Sequence, residues 1–441
     1  MTIMRLASVI FLLLLAVPVA HAAQEDEAFL AWARTKAIPL EDCVSIGAVT
    51  SYARIAGTIG NARLVALGEP VHGAHEPLAF RNCLFRYLVE ERGFTAIAIE
   101  SGLHESRSLH EFAAGGPGEL RDLARTGFTW GFGRYSENIE LLEWMRDYNL
   151  DPRHSRKIAF YGMDMSGGDA SGEWARARVT LDTAMNFLAR AAPAKSSRVR
   201  SALSPFLGGF TASGNRALSV GDRHRLRSAI GEMARFFDTN RKALTAATSP
   251  EDYDWAHQNM AAARQLETLF AVSAQPGAGT GIPPEAHQED AARDAAMAEN
   301  ALWAFRREGP HGRLLLFAHS GHVMNDHTRG GVWSAYPQAP AAMGLHLRRV
   351  LGRNLLLLGM VSATRAPDSG DRTGSIDASL AAIGPRHFLL DLRSPPDSAT
   401  KWLARERSLS VNYDTEQLIL PQRAFDAFVY IGELTRSKKL P

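Results

Sequence analysis

Residues able to do acid–base chemistry crowd one short stretch of the chain. Over 64–76, LVALGEPVHGAHE, an apolar run from Leu64 to Leu67 leads into Glu69, His72, His75 and Glu76. A histidine held by a carboxylate has its tautomer fixed and its basicity raised, which a general base working near neutral pH requires. Further apolar runs end in Glu100, in Asp164 and in His319, the last followed by Ser320-Gly321-His322. Taken singly, each polar residue has a plainer explanation. A lone histidine at a strand end is more often a hydrogen-bonded structural residue, and Asp164 could simply cap the following helix. Recurrence at the ends of four apolar runs is what points to chemistry.

The nucleophile is then narrowed by elimination. A serine elbow needs Gly-x-Ser-x-Gly, whereas Ser320 sits in Ala318-His319-Ser320-Gly321-His322, without glycines at the required spacing. Cys83 falls in mid-helix. Water remains, activated by a base or by a metal. Glu69, His72, Glu100, His319 and His322 would project into one crevice, with Arg81 reaching in from a flanking helix, and no cofactor is expected. His72, Glu100, His319 and His322 would also serve as a divalent-ion ligand set, so a metal site stays open as the alternative.

The elements that must position these groups can be read from periodicity. Leu64 to Leu67 reads as a strand buried on both faces, and Phe94 to Ile99, Arg156 to Asp164 and Leu314 to Ala318 read as further strands. If they run parallel, their ends gather along one edge of the sheet, where open α/β folds bind ligands. After Glu76, Leu78, Phe85, Leu88 and Val89 recur at helical spacing up to Gly93, with Arg81 on the same face and in need of an anionic partner. Trp130 to Asn149 reads as a loop entering an amphipathic helix with Ile139, Leu142 and Met145 on one stripe. Leu355 to Met360, His387 to Leu392 and Phe428 to Ile431 are further strands, some of them antiparallel at the sheet edge. The pattern predicts an α/β fold: a largely parallel central sheet flanked by helices, with a helical insertion between core strands. The corresponding divisions are a signal peptide over 1–22, the first part of the core over 23–172, a small helical domain over 173–309 and the rest of the core over 310–441. Within the insertion, 274–290 carries the Gly and Pro content of a loop.

Composition bounds the partners. With 441 residues, 22% charged, 46% hydrophobic and a formal net charge of +2, the chain has no electrostatic footprint for nucleic acid. Arg5, the apolar run from Ile10 to Val19 and Ala20-His21-Ala22 have the layout of a secretory signal peptide, too short to span a bilayer. The mature chain is therefore expected to lack a membrane span and to be periplasmic or secreted. An oxidising compartment would permit Cys43 and Cys83 to pair, with two separate buried thiols as the alternative.

Several motifs in one order resemble the erythromycin esterase family. They are Gly68-Glu69-x-x-His72-Gly73-x-x-Glu76, Arg81, the run from Leu88 to Phe94, Glu100 and Trp144-Met145-Arg146-x-Tyr148-Asn149. Phe160 to Asp164, Arg293-Asp294-x-x-Met297-x-x-Asn300 and Ala318-His319-x-x-His322-Val323 follow, and together they span about 56–432. The resemblance implies hydrolysis of a small-molecule carboxylic ester or macrolactone without a required metal, and a link to macrolide antibiotic resistance. His72 would be the general base, with Glu69, Arg81, Glu100, His319 and His322 around it. The wider superfamily also holds metal-dependent peptidases and a haem-binding group, which leaves two alternatives: a divalent-metal-dependent hydrolase or peptidase, and a non-catalytic periplasmic ligand-binding protein. His75 has no counterpart role and reads as a solvated or capping residue, while Glu76 suits a helix first turn. One departure bears on substrate: Pro70 and Val71 stand where resistance enzymes commonly have Ala-Thr.

Overall fold

A computed structural model describes residues 24–40, 53–169, 171–273, 286–363, 374–412 and 415–440. The expected signal peptide, Cys43 and most of the Gly- and Pro-containing loop lie outside the described residues. Among the described residues ten strands are formed: β1 (Ile38–Pro39), β2 (Leu64–Glu69), β3 (Ala96–Gly102), β4 (Ala159–Asp164), β5 (Leu314–His319), β6 (Leu355–Ser362), β7 (His387–Asp391), β8 (Arg407–Val411), β9 (Thr415–Ile419) and β10 (Ala427–Ile431). Eight of them make one sheet in the order β1-β7-β10-β6-β2-β5-β3-β4. From β10 to β4 every neighbouring pair is parallel. The antiparallel pairs are β7 with β10 and β1 with β7, at one edge.

The order places the crevice. After β2 the chain builds β3 and β4 beyond a gap, returns to fill that gap with β5, and then adds β6 on the other flank of β2. Strand progression therefore reverses beside β2, and a crevice opens at the carboxyl ends there. Glu69 lies in register with His319 across the β2–β5 ladder, and β3 flanks β5 on the other side with Ile99 opposite Phe317. Two site residues are thus Cα neighbours although 250 positions separate them in sequence.

Every residue of β2, β3, β5 and β6 is buried because helices cover both faces. Alternation along β2 sends Val65 and Leu67 to one face, packed with Leu78 and Leu84 of α1 (His75–Arg92) and Ile139 and Met145 of α2 (Ser136–Leu150). Leu64 and Ala66 go to the other. Helix α1 stops at Gly93, which takes the left-handed conformation at φ +66° and donates its N–H to Leu88 O. Between β4 and β5 the chain forms α3 (Arg178–Ala191), α4 (Val220–Thr239), α5 (Pro250–Val272) and α6 (Ala286–Arg307), with shorter helices among them. Leu181, Leu188, Met233, Phe237, Leu266 and Phe270 close a separate apolar cluster there. Helix α6 spans both worlds: it packs Met297, Ala301 and Ala304 on the sheet face that carries Leu64 and Ala66.

Outside the sheet, β8 and β9 pair as an antiparallel hairpin. Neither they nor β1 are anticipated by the sequence reading, because each is short and the hairpin strands mix serine, arginine and glutamate with their apolar residues. Among the described residues, no helix is long and apolar enough to cross a membrane. Cys83 is disulfide-bonded.

Candidate active site

The turn after β2 sets the first pair. Its backbone is tied at Pro70, whose carbonyl accepts the Asn412 N–H at 3.0 Å, and Val71 is buried beside it. Gly73 follows at φ +74°, and a Cβ there would meet the Tyr135 hydroxyl at 2.5 Å, so both conformation and space call for glycine. Held in this way, His72 Nδ1 lies 2.7 Å from Glu69 Oε1. Glu69 is buried, and burial pushes its carboxyl up against the opposing pull of His72. Burial would lower the His72 imidazolium, but Glu100 and Glu69 reverse this and hold its pKa above the ordinary histidine value. The His72 side chain keeps a third of its surface exposed, so Nε2 remains the approachable nitrogen.

Glu100 sits at the centre. Its Oε2 accepts the backbone N–H of His319 at 2.8 Å, and its Oε1 accepts from Arg293 Nη2 at 2.9 Å. The same Oε1 lies 3.9 Å from His72 Nε2 and 3.5 Å from His322 Nε2. Burial alone would raise this carboxyl, yet His322, His72 and Arg293 together hold it far below the usual carboxylate range. Glu100 is accordingly a fixed negative charge.

Two residues of α6 complete the arrangement, and neither is assigned a role by the sequence reading. Arg293 donates from Nε and Nη2 to the two oxygens of Asp164, at 3.1 and 2.7 Å, as well as to Glu100. Asp164 also accepts from the Trp130 indole at 2.8 Å and from its own neighbour's N–H, Met165. It is fully buried and, among the described residues, caps no helix, since the next helix along the chain, α3, begins at Arg178. Asp294 receives His322 Nδ1 at 2.9 Å and the Met343 N–H at 2.7 Å. Burial would lower the His322 imidazolium, but Asp294 and Glu100 raise its pKa to about 9. A signal for Asp294 was present: Asp294, Met297 and Ala301 share one stripe of α6 at spacings of three and four, which places a carboxylate on a core-facing helix surface.

His319 behaves differently. Its Nδ1 accepts the Gly321 N–H at 3.2 Å at the start of the short helix Ser320–Val323, so the ring proton belongs on Nε2. Burial, with His72 nearby, lowers its pKa to about 3 and keeps it neutral. Nε2 is buried and closes no full hydrogen bond among the described residues, although the Pro70 carbonyl draws on its N–H and opposes the lowered pKa, and the ring centre is 5.2 Å from that of His72. A neutral imidazole with a committed Nδ1 carries its proton on Nε2 and can act as a preorganised donor.

The remaining expectations fare unequally. Arg81 is buried as its helical spacing implies, but its hydrogen-bond partners are not anionic: Asn82 Oδ1 at 2.7 and 3.0 Å, Asn138 Oδ1 at 2.8 Å and the face of Phe317. Burial lowers its pKa to about 10, with Glu69 opposing. It lines the pocket that Glu69 and Glu100 also line, with its guanidinium turned to the amides. His75 is not simply solvated, because its Nδ1 lies 2.6 Å from Glu137, a buried carboxylate that also takes the Ser437 hydroxyl. Glu76, in the first turn of α1, holds Thr435 through its N–H and hydroxyl, each at 2.7 Å.

Fold and site define the class first: an α/β protein carrying a carboxylate–histidine cluster at the carboxyl edge of a mostly parallel sheet. More narrowly, the chain belongs to the erythromycin esterase family, whose model matches residues 89–434. That span holds Glu100, Asp164, Arg293, Asp294, His319 and His322, while Glu69 and His72 precede it. Erythromycin esterase type II of Escherichia coli is 30% identical over 137 residues, an alignment covering 31% of this chain and about a third, 32%, of that protein. In fold, a Bacillus cereus protein of known crystal structure is similar with a TM-score of 0.78 at 21% identity, covering 94% of this chain and 99% of that one. An erythromycin esterase mutant crystallised in its open conformation gives 0.67 at 16% identity, covering 88% and 95%.

Proposed function

We propose that the protein hydrolyses a carboxylic ester or lactone by attack of a water molecule activated by His72. The observation that carries this reading is the division of labour among three histidines. His72 has Nδ1 on Glu69 and leaves Nε2 to accept a proton, His319 is neutral with its proton on Nε2, and His322 is held as a cation between Asp294 and Glu100. His72 takes a proton from water as the hydroxide equivalent adds to the carbonyl carbon. The developing oxyanion is met by His319 Nε2–H and the His322 charge. Collapse breaks the ester C–O bond, and the departing alkoxide recovers the proton from His72. Family membership supports the reaction class, and the exported location expected from the sequence would let such an enzyme meet a substrate outside the cytoplasm.

Arg293 supports a metal-free form of this reaction. A divalent ion bound by Glu100 would find the carboxylate already paired to a guanidinium. Among the described residues, no group of three or more His, Cys, Asp or Glu is arranged to hold a metal. Incubation with a panel of esters, lactones and macrolides should yield from a lactone or macrolide one product heavier by a water, or from an open-chain ester an acid and an alcohol that together gain a water, at the same rate with and without a chelator. Retention of every compound unchanged would support the binding-protein alternative, and chelator-sensitive turnover restored by a divalent ion the metal-dependent one.

The pH dependence follows from the same charges. A base must be neutral to accept a proton, so activity should rise with pH through the His72 pKa, above the ordinary histidine value of about 6.5. The His322 charge is needed, so activity should fall again near its pKa of about 9. In Asp294→Asn the falling limb should move to lower pH, since the largest influence raising His322 is gone. A falling limb unmoved by that substitution would remove His322 from the scheme.

A further inference from the structure

Three described residues other than glycine have positive φ, and two of them are tryptophans: Trp130 at +59° and Trp174 at +54°. The third is Asn412, a residue type that tolerates this region. For a bulky side chain the left-handed conformation is an outlier that persists only where its surroundings over-determine it. At Trp130 they do. The preceding residue, Thr129, is buried and riveted to the end of β3 from both sides, its N–H to Ser101 Oγ at 2.9 Å and its Oγ1 accepting the Gly102 N–H at 2.9 Å. The Trp174 ring stands edge-on against Trp130, with centres 5.9 Å apart at 87°. The segment is thus fastened to the strand that carries Glu100, and its indole is driven toward the site.

What the indole reaches is specific. Its Nε1–H donates to Asp164 Oδ2 at 2.8 Å, the oxygen that Arg293 Nη2 also holds at 2.7 Å. The guanidinium carbon lies 5.2 Å from the indole ring centre, so one side chain binds the anion through an edge and the cation through a face. Asp164 and Arg293 come from β4 and α6, elements 129 positions apart in sequence, and Arg293 has to sit correctly on Asp164 for Nη2 to reach Glu100. We propose that Trp130 is a positioning residue for the ester-cleaving site, locking Asp164 and Arg293 in the one arrangement from which Arg293 engages Glu100. The proposal rests on the hydrolytic reading above. It also explains why a strained backbone is kept at a position where a packing residue alone would gain nothing from strain.

Trp130→Phe keeps a ring over the guanidinium and removes only the N–H. Its kcat should fall about 10-fold to 100-fold, with KM little changed, as expected when a reacting constellation shifts by a fraction of an ångström to an ångström. If Trp130 acts through Arg293, Trp130→Phe combined with Arg293→Lys should be no slower than Arg293→Lys alone. A wild-type kcat in Trp130→Phe, or a double variant that loses the product of the two single losses, overturns the proposal. A readout independent of turnover comes from 15N-labelled tryptophan. The Trp130 indole resonance, identified by its disappearance in Trp130→Phe, should move in Arg293→Lys, and an unmoved resonance overturns the proposal as well. Wild-type enzyme that cleaves no ester would instead defeat the proposed function and leave the indole test standing.

Discussion

His72→Ala is expected to lower kcat by about 10² to 10⁴, the usual contribution of a positioned general base. The fold should survive. The side chain is a third exposed, and the turn that bears it is tied independently by the Asn412 N–H on Pro70 O and by Gly73. Glu69 loses its partner in this variant, but its carboxyl is already pushed up by burial and can take a proton rather than remain as a buried charge. Some turnover should persist, because the His319 donor and the His322 charge are untouched, and an oxyanion donor of this kind is worth about 10² to 10³. Added imidazole should restore part of the loss if the missing group is a base. The measurement is steady-state kinetics on whichever ester the panel identifies, beside a urea unfolding curve. A folded His72→Ala enzyme with wild-type kcat would falsify the assignment.

The pairing of Glu69 with His72 was legible in the sequence for a local reason. Glu69 and His72 are three residues apart in a turn that a buried strand feeds directly, so spacing alone brings them within reach, and the structure gives 2.7 Å. Parallel strands were legible too, since runs such as Leu314 to Ala318 are apolar on both faces and only a doubly covered sheet buries both. Asp164 shows where local reasoning stops. Helix capping was the plainer account of an acid after a strand, but its carboxylate is spent on Arg293 and Trp130, which arrive from 129 and 34 positions away. Arg81 shows a different limit. Burial of an arginine calls for compensation, and the sequence reading supplied an anion, whereas the fold supplies two side-chain amides and an aromatic face. The polar demand was readable, and the chemistry of its partner depended on tertiary contacts. His75 errs in the same direction, since Glu137 reaches it from α2.

Arg293→Met should cost about 3–5 kcal/mol of stability, the range found when one member of a buried ion pair is removed. Methionine fills much of the volume, so the loss reports charge rather than packing. Asp164 is fully buried and the Glu100 side chain is 4% exposed, and the Arg293 guanidinium is paired to both. Arg293→Lys should lose less, because it keeps the charge but not the fork that grips both Asp164 oxygens and Glu100 together. The pH dependence of the loss separates this account from a simple packing defect. Glu100 is held far below the usual carboxylate range in the folded protein, so its contribution to stability is present above its unfolded pKa and disappears as pH falls through the folded value. In Arg293→Met that depression weakens, and Glu100 takes up a proton at a higher pH than in the wild type. The stability gap between the two proteins should therefore be widest near neutral pH and narrow on acidification, as pH falls through the raised value of a variant carboxyl that His322 and His72 still hold down. Urea midpoints measured across that window decide the matter. A gap that stays constant with pH would mean that Arg293 is held for its shape, and the electrostatic account of Glu100 would have to be abandoned.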